Sequence, residues 1–160
     1  MSDILVMSNL LLKKLQRNRG VPTSKGHALC VLFLLSLPLA AQSLSLTCPP
    51  PTSFNQSAVC QVVLSTPATT PVSGAQWALT TNPKTTLTVA SLIPSKSVGA
   101  GPTGIYLLSG ANQTPISGAI ASVTIPPHSG AVTIMLSQPL GTSPAGHAIP
   151  LSPGASATVQ

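Results

Sequence analysis

From Ser43 onward the chain repeats one pattern: a few residues in which apolar and small polar side chains alternate, then a break carrying Pro or Gly. Ser43-Leu44-Ser45-Leu46-Thr47-Cys48 alternates, Trp77 and Leu79 stand two apart within Ala75 to Thr80, and Ala58 to Leu64 is a short apolar run. Thr86 to Ile93, Ile105 to Leu108, Ala119 to Ile125 and Ala131 to Leu136 continue the series in Val, Ile, Thr and Leu. A period of two sends successive side chains to opposite faces of a strand, so each stretch has one face to bury. The breaks, among them Pro49-Pro50-Pro51, Ser73-Gly74, Asn82-Pro83, Gly99 to Gly104, Ser109-Gly110, Pro126-Pro127 and Gly141, recur about every ten residues and leave no room for an ordinary helix after residue 45. Many short strands at that spacing predict an all-β fold of two packed sheets. Period two also names the core: Val62, Leu64, Trp77, Leu79, Leu87, Val89, Ala121, Val123, Ile125, Val132, Ile134 and Leu136 should point inward.

The N-terminal part reads differently. Lys13, Lys14, Arg17, Arg19 and Lys25 precede an apolar run from Ala28 to Ala41. A basic n-region before an h-region too short to span a bilayer, with Pro38 near its end, is the pattern of a Sec-type signal peptide. We read residues 1–43 as that leader, its apolar run helical, with cleavage near 41–43, and 44–160 as one exported domain. The expected location is extracellular or periplasmic, with no membrane span once the leader is removed. Asn18 separates the two arginines, so a twin-arginine route is not indicated.

Removing the leader takes five of the seven basic residues and leaves Lys84 and Lys96. Two isolated lysines cannot neutralise a run of phosphates, so no nucleic-acid partner is expected. Cys30 leaves with the leader. Cys48 and Cys60 remain, and in an oxidising compartment an even, closely spaced pair predicts a disulfide. Their spacing matches no zinc pattern, and His128 and His147 are too few to complete a site.

The acidic side of the ledger excludes most enzymes. Asp3 is the one Asp or Glu in 160 residues. General acid/base pairs and Ser/His/Asp triads both require a carboxylate. No G-x-S-x-G is present and no lysine follows a serine by three. Gly99-x-Gly101-x-x-Gly104 has the dinucleotide spacing, but Pro102 sits inside it, a strand-like IYLLSG follows and no acid lies downstream to hold a ribose. It reads as a turn between strands. The chain is thus expected to be non-catalytic and free of cofactors. Asn55-Gln56-Ser57 and Asn112-Gln113-Thr114 fit the N-glycosylation sequon.

Three blocks carry a resemblance. SGAQWALTTNPKTTLTVASLIPS (Ser73 to Ser95), SGAIASVTIPP (Ser117 to Pro127) and GTSPAGHAIPLSPGASATV (Gly141 to Val159) resemble, in order and spacing, the strand-turn-strand block, the Gly-led strand and the closing strand of bacterial cohesin domains. Asn82 stands where that family often has an acid. The resemblance implies a jelly-roll sandwich of about nine strands and an extracellular, dockerin-like protein partner in polysaccharide breakdown. Direct binding of polysaccharide and a structural cell-surface or adhesin role are the alternatives. Phe54, Trp77 and Tyr106 are the only aromatics available as sugar platforms. In the family one sheet's outer face binds the partner, which points to Gln76, Ala78, Thr80, Tyr106, Leu108, Ser122 and Thr124. The stretch IYLLSG leaves open whether Tyr106 and Leu108 or Ile105 and Leu107 face out.

Calcium sites need carboxylate oxygens to neutralise the ion. Millimolar calcium and EDTA should therefore both leave the melting temperature unchanged, and a calcium-dependent rise in differential scanning fluorimetry would contradict this.

Overall fold

The computed structural model describes residues 42–50 and 55–160. The expected signal-peptide helix and Phe54 lie outside the described residues. The strands are β1 (Ser43–Thr47), β2 (Ala58–Ser65), β3 (Gly74–Asn82), β4 (Thr88–Ser91), β5 (Ser97–Ala100), β6 (Ile105–Ser109), β7 (Gly118–Ile125), β8 (Val132–Thr142), β9 (Ala148–Pro150), β10 (Ser152–Pro153) and β11 (Ala157–Val159). They form two sheets, in the orders β10-β1-β2-β7-β4 and β11-β8-β3-β6-β5, with β9 added to β8. The all-β, two-sheet expectation holds.

Three local differences have physical causes. Among the described residues there are eleven strands rather than about nine, because Pro150 and Pro153 break the C-terminal stretch into the short pieces β9, β10 and β11. β5 occupies Ser97–Ala100, a segment of small residues with no apolar alternation to announce it. It pairs antiparallel with β6, and the chain crosses from one to the other through a single 3-10 turn at Pro102–Gly104. The Gly99 to Gly104 motif is thus a strand-turn-strand connection. β8 runs past the expected end at Leu136 as far as Thr142, carrying Pro139 inside it. A bulge permits this: Ala78 pairs with Ser137 and Gln76 with Leu140, so two residues, Gln138 and Pro139, stand opposite Trp77 alone. Gln138 adopts φ 51, and the missing Pro139 N–H interrupts no regular rung.

The core lies between the sheets around Trp77, which is fully buried with Leu44, Val62, Leu64, Leu108, Ile120, Val123, Ile125 and Ile134. Ten of the twelve expected core residues are buried; Leu87 and Val89 are half-buried and pack on the same cluster, Val89 from edge strand β4 and Leu87 just ahead of it. A second bulge adds Ile120: Val62 pairs with Ala121 and Val63 with Ala119, which leaves Ile120 as the extra residue, buried beside Ala121. Cys48 and Cys60 form the expected disulfide, tying the end of β1 to β2. A closed loop of this length contributes about 3 kcal/mol by the chain-entropy estimate.

Trp77→Ala removes the largest side chain of the core. Chemical denaturation should show a loss of about 3–5 kcal/mol; a change within a few tenths would mean that Trp77 is not a core residue.

Candidate functional site

Strand pairing sorts the expected partner-binding residues into three groups. On β3, Ala75, Trp77 and Leu79 face the core, which sends Gln76, Ala78 and Thr80 outward. Ala78 is shielded without belonging to the core cluster, because Ile105 and Ser137 stand directly across from it on either side. Gln76 is half-buried and Thr80 exposed.

β6 corrects the second group. Tyr106 pairs with Trp77 and Leu108 with Ala75, and residues directly opposite on adjacent strands share a face. Both therefore point inward. Leu108 is 0% exposed, and the Tyr106 ring stacks on Trp77 with centroids 6.3 Å apart and planes 25° from parallel. Ile105 and Leu107 take the outward positions opposite Ala78 and Gln76.

Ser122 and Thr124 form the third group, and they cannot join the first. They lie on β7, in the other sheet, opposite Gln61 and Val59 of β2 and Ala90 and Thr88 of β4. The seven residues thus divide between two sheets, and no single face carries them.

The outer face of the β3 sheet instead gathers residues that the sequence reading did not name. Leu140 pairs with Gln76 and Met135 with Thr80. Met135 (53% exposed), Leu107 (47%) and Leu140 (40%) surround Ala78 and the half-buried Ile105. Met135 was accessible to a period-two reading, since Ile134 and Leu136 on either side face inward. Leu140 was not, because the Gln138-Pro139 bulge reverses the alternation before it. The outer face of the other sheet bears Ser122, Thr124 and Thr88 around β7, with Val59 and the half-buried Val63 of β2 as its larger apolar members.

Neither face bears a charged side chain. Lys96 is buried in the turn before β5, where its Nζ donates to the main-chain oxygen and Oδ1 of Asn112, each at 3.1 Å. That contact holds the second sequon asparagine in place, whereas Asn55 of the first is exposed at φ 67. Among the described residues no three His, Cys, Asp or Glu side chains converge. The His128 ring meets the Pro126 carbonyl through Nδ1 at 3.0 Å.

A cleft of about 850 Å³ opens at one end of the sandwich. Leu87 and Tyr106 supply apolar surface, and Thr81, Thr85, Thr86 and Thr103 stand with Lys84 along its wall, which β3 passes at Leu79 and Thr80. Its wall passes through two successive left-handed residues, Thr103 at φ 63 and Gly104 at φ 74. A Cβ on Gly104 would lie 2.6 Å from the Leu79 carbonyl oxygen, so only glycine lets the turn approach β3 this closely.

Comparison with protein-family models and with curated proteins returns no match to this chain.

Burial holds the Tyr106 phenol above its ordinary value of 10.0. The neutral form is the one the fold favours, so this contribution to stability is whole below pH 10.0 and declines as pH climbs through the folded-state value. Spectrophotometric titration of phenolate should give a midpoint above 10.0 in the native protein and an ordinary one in denaturant; equal midpoints would place the ring in water.

Proposed function

We propose that this chain is a secreted, non-catalytic module, a cohesin-like jelly roll, that docks another extracellular protein through the outer face of the β3 sheet. The observation that supports it is the asymmetry of the two outer faces. One carries Ser122 and Thr124 on β7 with Val59 and the half-buried Val63 on its central strand β2, whereas the other concentrates the exposed Leu107, Met135 and Leu140 around the shielded Ala78. Exposed apolar side chains gathered on one sheet face are a feature of interaction surfaces. The scarcity of carboxylates supports the non-catalytic part, since Lys84, Lys96 and two histidines are the only other ionisable groups, apart from Tyr106 and the disulfide cysteines, in residues 42–160.

Recognition by such a face depends on shape and apolar burial around a few anchors, with no formal charge to steer the encounter. Binding should therefore vary little between low and high salt. The immobilised protein should capture a partner from culture supernatant, and the double variant Leu107→Lys, Met135→Lys should lose that partner. Surface substitutions of this kind shift stability by about 0.5 kcal/mol or less, so the variant should melt with the wild type. A folded double variant that still captures the same partner moves the interface off this face.

A further inference from the structure

The cleft at the end of the sandwich is a second surface with chemistry of its own. We propose that it binds a carboxylated saccharide, a uronate unit of an acidic polysaccharide. This goes beyond a protein-docking role and stands whether or not the apolar sheet face has a partner.

The size of the cleft, about 850 Å³, is that of a small-ligand site. Its composition narrows the ligand. Leu87 and the ring of Tyr106 offer apolar surface suited to the C–H face of a sugar, and stacking on the buried Trp77 fixes the Tyr106 ring in place. Around that surface stand Thr81, Thr85, Thr86 and Thr103. Three are oriented by the backbone: Thr81 Oγ1 accepts from the Thr85 N–H at 2.8 Å, Thr85 Oγ1 donates to the Pro83 carbonyl at 3.2 Å, and Thr103 Oγ1 donates to the Pro102 carbonyl at 2.6 Å. An oxygen whose hydrogen is committed to the backbone keeps lone pairs for a ligand hydroxyl, so Thr85 and Thr103 are preset acceptors. Thr86 makes no side-chain hydrogen bond among the described residues and can turn to donate or accept. A fatty acid would leave this ring of hydroxyls unpaired, and a phosphate would find one lysine where several donors are needed.

Lys84 fixes the charge of the ligand. Of the two lysines in the described residues, Lys96 is buried against Asn112, and Lys84 is exposed on the cleft. No acidic side chain in the described residues competes for it. A carboxylate is the anion that one ammonium group serves best, and a sugar ring supplies hydroxyls to the threonines. Thr103 supports the assignment: a β-branched residue in the left-handed region is strained, and strain of this kind gathers at binding sites.

The test is calorimetric titration of the purified protein with short oligogalacturonates and, in parallel, with neutral galacto-oligosaccharides. The oligogalacturonates should bind, with affinity that falls as salt rises. Lys84→Gln should lower that affinity about tenfold, the loss expected of one charge-assisted hydrogen bond, without changing the melting temperature. Thr86→Val should weaken it further, while the Leu107→Lys, Met135→Lys variant should bind the oligosaccharide as the wild type does. No heat of binding at millimolar oligogalacturonate, equal affinity for the neutral sugar, or a Lys84→Gln variant that binds unchanged would each overturn the proposal.

Discussion

Apolar contact between two sheets carries this structure almost unaided. Among the described residues no ion pair can form between side chains, because there is no acid to complete one. The stabilising inventory is therefore short: apolar area buried around Trp77, the backbone ladders and one disulfide. Surface ion pairs contribute little in most proteins, so the loss of that contribution is tolerable. The loss of negative design matters more, since uncharged strands do not repel neighbours. A protein of this composition depends on its pattern of inward and outward residues being correct at every strand.

The pattern was largely legible because period two holds over most strands. Val62, Leu64, Trp77, Leu79, Val123, Ile125, Ile134 and Leu136 follow from alternation alone, and all are buried. Alternation fails where a residue is inserted into one strand of a pair. Ile120 enters the core and Leu140 leaves it because bulges at those points reset the count, and neither bulge has an unmistakable local signature. Sheet membership was also invisible. Nothing within β3 or β7 says that they lie in different sheets, which is why Ser122 and Thr124 could be grouped with Gln76 and Ala78. For IYLLSG two faces were equally open; pairing with β3 decides it, since Trp77 needs an apolar neighbour and Tyr106 provides one.

The two candidate surfaces have different physical characters. The outer face of the β3 sheet is neutral and apolar, suited to a partner that brings its own shape. The cleft is small, hydroxylated and served by the exposed Lys84. They meet at Thr80, which stands at the edge of the sheet face and also lines the cleft.

The pairing of β1 has a consequence for how the chain is made. Its strand is flanked on one side by β2 and on the other by β10, in the one parallel contact of the described fold, with the Ser152 N–H donating to the Gln42 carbonyl and the Gly154 N–H to the Leu44 carbonyl. The first described strand is thus completed by residues near the last. Contacts so distant in sequence form slowly, because the entropy of closing the loop precedes any gain from it. A growing chain cannot finish this sheet until its C-terminal segment has emerged. Until then β1 has β2 on one side only, and its other edge stays unpaired.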